Sequence, residues 1–296
     1  MRLHFVRWRF LWYALSLAVI LPGLVSLSLR GLNLGIDFTG GSLMEIEFHR
    51  PAEIAKVRQV LTDLGLKDAM IQKGGASVFL IRTRPLEEKQ SQEVVKALEQ
   101  KIGPLTLLRS DKVGPVIGKE LTRKAFLASL LTLVILLIYL AIRFDFKQGV
   151  AAIIGLVHDV LVVLGIFSIF QLEVDSSFVA AVLTTLGYSL HDTVIVFDRI
   201  RENIKIRRLS EPLADVINLS IWQTLTRSIN TVMTVLFVLV ALYFLGGSTL
   251  RNFVLALIIG VVSGAYSSVC DASPIWYDLK RWEEKRRAKA PKAGRA

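Results

Sequence analysis

Six ionisable side chains stand inside stretches that are otherwise apolar: the neighbours His158 and Asp159, the neighbours His191 and Asp192, then Arg227 and Asp271. An ionised group near the middle of a bilayer costs about 2.5–3.5 kcal/mol on insertion scales, so each needs a partner or a task. Asp192 lies seven residues before Arg199, where a run of charge begins, and at helical rise it sits about 10 Å inside that boundary. Thr184, Tyr188 and Asp192 follow one another at i, i+4 and i+8, and Thr224, Arg227, Thr231 and Thr234 form a second polar stripe. The second stripe enters from the same boundary in the opposite direction, so Arg227 reaches a similar depth and the two charges can meet. A carboxylate that alternates between pairing with arginine and carrying a proton can couple proton passage to helix movement. A static ion pair that fixes helix register is the other reading.

His158 and Asp159 stand about a third of the way through their stretch, and adjacent helical residues point about 100° apart, so at most one faces any given partner. They read either as a relay along a water-lined groove or as helix–helix hydrogen bonds. His191, Tyr188, Thr184 and Thr231 are further candidates for a relay around Asp192. Asp198 belongs to the boundary cluster, solvated or paired with Arg199 or Arg201. GVVSG places Gly260 and Gly264 at GxxxG spacing, followed by Ala265, Ser267 and Ser268, a pattern for close helix packing.

The elements that position these groups are apolar runs. Hydrophobic residues make up 53% of the 296 and gather in six segments: 10–29, 125–142, 150–170, 178–197, 225–245 and 253–269. Each is long enough to cross a hydrocarbon layer of about 30 Å. The first follows Arg2, Arg7 and Arg9 but exceeds the length of a signal core and lacks a small-residue cleavage pattern, so it reads as a retained span. Basic residues crowd the N-terminus, the Arg143–Lys147 turn, the 199–208 stretch and the tail from Lys280 to Arg295, four regions that share one side if there are six spans. The positive-inside rule puts that side, and both termini, in the cytoplasm. The loops 171–176 and 246–252 carry little positive charge. This topology also accounts for the net charge of +11 without a nucleic-acid partner. The single cysteine, Cys270, allows no disulfide within the chain, and no metal-ligand spacing is present.

Between the first two spans, residues 30–124 are amphipathic. SLMEIEF (42–48) alternates like a half-buried strand, and PAEIAKVRQVLTDLG (51–65) places Ile54, Val57, Val60, Leu61 and Leu64 at helical spacing. AMIQ and SVFLIRT flank the turn Gly74-Gly75 as a hairpin, followed by a helix at 87–102 and a strand at 105–110. The order β-α-β-β-α-β is that of an α+β ferredoxin-like unit, a fold that decides no function by itself. GIDFTGG (35–41) lacks the spacing and lysine of a phosphate cradle, so Gly40 and Gly41 turn the chain into the first strand. The expected divisions are 1–29, the N-terminus and first span; 30–124, the ferredoxin-like domain; 125–276, a five-helix transmembrane bundle; and 277–296, a basic tail.

GIDFTGG, VGPVIGKEL (113–121), the HD of the third run, LGYSLHDTVIVFDRIREN (186–203) and QTLTRSINT (223–231) together resemble the SecF family, the smaller membrane subunits of bacterial SecD–SecF protein-export complexes. The resemblance extends to about Pro274. It marks Gly35, Asp37, Gly40 and Gly41, with Gly114 and Pro115, as structural motifs. It implies membership of the resistance–nodulation–division superfamily and a polytopic α-helical protein of six transmembrane helices in the bacterial inner membrane, with the 30–124 domain extracytoplasmic. It also implies pairing with SecD into a pseudo-symmetric set of twelve spans, help to a SecY-type translocon, and use of the proton-motive force on an exported preprotein within the surrounding lipid. The proton-handling carboxylate of that family falls on Asp192 and its arginine on Arg227. No cofactor is implied beyond the coupling ion, a proton, with sodium as the alternative. Cys270-Asp271 departs from the family, whose sixth span usually stays apolar there, and leaves Asp271 either solvated or a further site. The link between the fourth and fifth spans is also about one residue longer than usual. A small-solute or lipid exporter of the same superfamily and a passive structural subunit of the translocon are the rival readings. No hydrolase or transferase constellation is present.

Overall fold

The computed structural model describes residues 3–73, 77–207 and 211–289. Among the described residues, six helices are long and apolar enough to cross a membrane: Arg9–Arg30, Pro115–Arg143, Phe146–Ile169, Ser176–Ile206, Leu213–Leu245 and Arg251–Arg286. The protein is a multi-pass membrane protein. The chain divides into two compact units, one built from the spans and one over Leu34–Leu127.

In the smaller unit, strand Gly41–Phe48 is central, antiparallel to Val78–Thr83 on one side and to Leu105–Val113 on the other, and Met70–Lys73 pairs with Val78–Thr83. With helices Ile54–Asp63 and Glu88–Ile102, this is the ferredoxin-like arrangement. Met44, Ile46 and Phe48 meet Phe79, Ile81, Val57, Val60, Leu61, Val94 and Leu98 in one apolar core. The first strand is buried at Leu43 and Glu45 as well as along its core-facing side, rather than half-buried, with Glu47 exposed. Helix Ile54–Asp63 buries only its middle, leaving Ile54 and Leu64 exposed, since ten residues extend past the strip of sheet they cover. Glu87 caps the second helix in a reciprocal capping box with Gln90. The last strand runs three residues beyond the expected Ser110, to Val113. The expected hairpin turn at Gly74-Gly75 lies outside the described residues, as do Arg208 and the tail beyond Lys289.

The two glycine motifs flanking this unit meet each other. Ile36–Thr39 makes a single helical turn, with Asp37 in it and Gly35 as its N-cap. Gly40 then packs on Pro115, the first residue of the second span, while Gly114 accepts from the Gly118 N–H. Gly41 has φ +133°, and a Cβ there would stand 2.5 Å from the Thr83 carbonyl oxygen. No other residue type fits this entry to the central strand.

Among the spans, the helices overrun the apolar runs that announce them. The second begins at Pro115, the fifth at Leu213, and the fourth continues through the charged segment to Ile206. Amphipathic residues outside hydrocarbon stay helical where their apolar side still packs: Ile200, Val216 and Ile217 are buried. Asp145 and Asp175 cap the third and fourth spans by accepting from the Gln148 and Phe178 N–H groups, both at 2.8 Å. The first and third spans cross where Gly23 meets Gly165, with no room for a Cβ on either. The sixth span runs as α-helix to Ser267, as π-helix over Ser268–Ala272, and as α-helix from Ser273 to Lys289 without a break before the basic tail. Pro274 explains the wide turn, because it has no N–H and its ring crowds the carbonyl four residues back. The Ser273 hydroxyl donates to the Ser268 carbonyl across that turn at 3.0 Å.

Candidate functional site

Close packing of the fourth and sixth spans comes first. Gly260 lies against Thr185 and Gly264 against Ser189, so tightly that any Cβ would overlap those side chains. Small residues permit this approach, and the hydroxyls beside them then reach across the interface. Asp159 on the third span accepts from Ser189 (2.5 Å), Ser263 (2.6 Å) and Ser267 (2.8 Å), joining three spans at one buried carboxylate. His158 is buried beside it: its Nδ1 lies 3.0 Å from Asp159 Oδ1 and its Nε2 3.4 Å from Asp271 Oδ2. The ring stacks on Tyr266, whose hydroxyl donates to the Trp12 carbonyl at 2.8 Å. Asp271 in turn accepts from Ser16 of the first span at 2.8 Å. Asp271 is therefore no solvated end-group but a buried member of the network, turned inward by the π segment. The expectation that only one of His158 and Asp159 faces a given partner is met by division of labour: Asp159 takes the serines and His158 reaches Asp271.

Asp192 is 3% exposed and accepts from Ser228 of the fifth span at 2.9 Å and from Ser268 of the π segment at 3.4 Å. The expected ion pair with Arg227 does not form in this conformation. Arg227 is exposed and, among the described residues, has no ion-pair partner. Ser228 is the next residue and points about 100° away around the helix, which gives it the facing position instead.

The expected polar faces are likewise rotated. Asp192 shares its buried side with Thr185 and Ser189, whereas Thr184 is exposed and donates to its own helix at Ala180. Over eight residues an α-helix drifts about 80°, so i, i+8 is not one face, while i, i+7 from Thr185 misses by about 20°. Tyr188 is half-buried and its hydroxyl has no hydrogen-bond partner among the described residues. His191 is exposed; Thr231 donates back to the Arg227 carbonyl and Thr234 to that of Thr231. Asp198 pairs with Arg143 at 2.5 Å rather than with Arg199, which binds Glu202 and Gln223.

Sequence reasoning missed the serines that hold both carboxylates, although Ser263, Ser267 and Ser268 lie in and after the GxxxG pattern. It also missed Ser16 and Tyr266, for which the sequence carries no signal.

Residues 93–282 match the family model described as protein export membrane protein SecD/SecF, C-terminal, and residues 25–52 match the SecD/SecF GG motif, the segment that contains Gly40 and Gly41. The chain is 44% identical over 301 aligned positions to a protein translocase subunit SecF from Thermobaculum terrenum, with 95% of this chain and 94% of the relative covered. The chain belongs to the SecF family. A second SecF, from Vibrio alginolyticus, is 40% identical, with 92% of this chain and 88% of the relative covered. A crystal structure of SecDF from Thermus thermophilus, described as a translocon-associated membrane protein, matches with a TM-score of 0.87 at 37% identity over 95% of this chain. The present chain spans 39% of that longer polypeptide. A second SecDF crystal structure, in a form called super-membrane-facing, matches with a TM-score of 0.72 over 98% of this chain.

Proposed function

We propose that this SecF works with a SecD partner in the bacterial inner membrane and couples the proton-motive force to late stages of preprotein export through a SecY-type translocon. The observation that carries this reading is Asp192: a carboxylate buried within a span that accepts from serine hydroxyls of two other spans, with Arg227, which has no ion-pair partner among the described residues, one residue from its main donor. A carboxylate with two neutral donors keeps a place for a proton, and Arg227 is free to take up the pair when the helices shift. The distribution of basic residues supports an orientation with both termini in the cytoplasm and the Leu34–Leu127 unit outside it, on the side where a translocating chain would emerge. Six spans supply one half of a twelve-span transporter, which is why a SecD partner is required. The role is transport rather than catalysis on a substrate. The family membership supports the translocase assignment; the coupling step rests on the Asp192 geometry.

The test is preprotein translocation into vesicles that contain the SecF–SecD complex and the translocon, with the proton gradient present, collapsed by an uncoupler, or replaced by a sodium gradient. Stimulation by the proton gradient alone supports the reading. Equal stimulation by sodium alone makes sodium the coupling ion, and no stimulation by either leaves a passive structural subunit.

A further inference from the structure

His158 has a carboxylate oxygen at each ring nitrogen, Asp159 Oδ1 at Nδ1 and Asp271 Oδ2 at Nε2. A neutral imidazole carries one N–H and one lone pair. If Nδ1 holds the hydrogen, the Nε2 lone pair faces an Asp271 oxygen; if Nε2 holds it, the conflict moves to Asp159. In either tautomer two acceptors face each other in a buried site, where an unmatched polar contact is costly. One more proton removes the conflict, either on the imidazole, which then donates both ways, or on Asp271, which then donates to Nε2.

The surroundings decide which side takes it. Asp159 already accepts from Ser189, Ser263 and Ser267, so donors occupy both of its oxygens. Asp271 accepts, among the described residues, from Ser16 alone besides its contact with the histidine. The titratable groups around the pair are Asp159 on the third span, Cys270 and Tyr266 on the sixth and, behind Ser268, Asp192 on the fourth, while Tyr13 on the first donates to Asp278 instead. Among the described residues no arginine or lysine lies within ion-pair distance of Asp159 or Asp271. A cleft of about 460 Å³, lined by Ser16, His158, Ser263 and Tyr266 among apolar residues, reaches the histidine between the first, third and sixth spans. Asp192 does not line it.

We propose that His158 and Asp271 form a second proton-binding site, separate from Asp192, that holds one proton between the third and sixth spans. With the proton in place, His158 bridges Asp159 to Asp271. Without it, the Nε2 contact becomes repulsive and Asp271 is left to Ser16 on the first span. Proton occupancy thus decides whether Asp271 is tied to the third span as well as to the first.

The measurement is solid-state NMR of the full chain with its SecD partner in lipid nanodiscs, labelled with 15N-histidine and with aspartate 13C at the carboxyl carbon. Four histidines are present, and His158→Gln identifies the signal of interest. At neutral pH the proposal requires two protons on His158, Asp159 and Asp271 taken together: two ring N–H groups, or one with a protonated Asp271. A single N–H, a bare second nitrogen and two ionised carboxylates overturn it. In Asp271→Asn the amide donates to Nε2, so the count falls from two to one; a count that stays at two removes Asp271 from the site. If that variant does not assemble, the wild-type count decides alone. The result is independent of coupling at Asp192, because a neutral His158 between two carboxylates refutes this site whatever the export assay gives.

Discussion

Ser228 donates to Asp192 at 2.9 Å, both side chains buried, and this bond joins the fifth span to the fourth. The arginine expected in that place is the residue before it. In this conformation the fifth span presents a neutral hydroxyl to the carboxylate, with the cation one residue's angle, about 100°, away around the helix.

That offset separates stability from coupling. Arg227→Gln removes a side chain with no ion-pair partner among the described residues, so the expected change in stability is within about 0.5 kcal/mol. Gradient stimulation of translocation is expected to be lost. Thermal unfolding of the reconstituted complex and the vesicle assay check the two halves; a large loss of stability contradicts the geometry.

Ser228→Ala has the opposite profile. It leaves one Asp192 oxygen without a donor and is expected to cost about 1 kcal/mol, between the membrane average for an interhelical hydrogen bond and the penalty for an orphaned buried acceptor. Comparing unfolding of wild type, Ser228→Ala, Asp192→Asn and the double variant isolates the pair term. A coupling energy near zero would show that the bond contributes nothing.

Gly264→Ala tests the packing on which the serine network depends. The new Cβ would stand 2.8 Å from that of Ser189, so the two helices must separate by a few tenths of an ångström. Overpacking of this kind costs about 1–3 kcal/mol, and the Ser189–Asp159 bond should lengthen. Hydrogen exchange at the fourth and sixth spans reads the loosening; unchanged protection would refute the close approach.

Gly41→Ala in the smaller unit combines a left-handed backbone with a contact on the Thr83 carbonyl oxygen. An expected cost of about 1–3 kcal/mol should appear as faster proteolysis within Leu34–Leu127 of the full chain, while the spans stay protected. Equal cleavage rates would show that the strand entry tolerates a side chain.

What the sequence disclosed follows from which interactions are local. Apolar runs announce all six spans because burial in hydrocarbon acts on each helix alone, and alternation with helical spacing discloses the strand–helix order of the smaller unit. Helix ends escaped, as at Leu213 and Pro115, because amphipathic turns outside hydrocarbon carry no run to read. Asp192 was found because a charge in an apolar run is conspicuous. Its true partners were not: serine is ordinary in a span, and choosing Ser228 over Arg227 depends on helix rotation set by neighbours distant in sequence. Asp271 stayed ambiguous for a similar reason, since Pro274 widens the preceding turn and re-aims it toward His158.

The most direct test of the account compares wild type with Asp192→Asn in vesicles carrying equal amounts of assembled SecF–SecD complex, measuring the ratio of preprotein translocated with and without a proton gradient. The account predicts that the ratio falls to one in the variant. A ratio that stays at the wild-type value contradicts it and makes the Asp192–Ser228 contact an architectural tie between two spans.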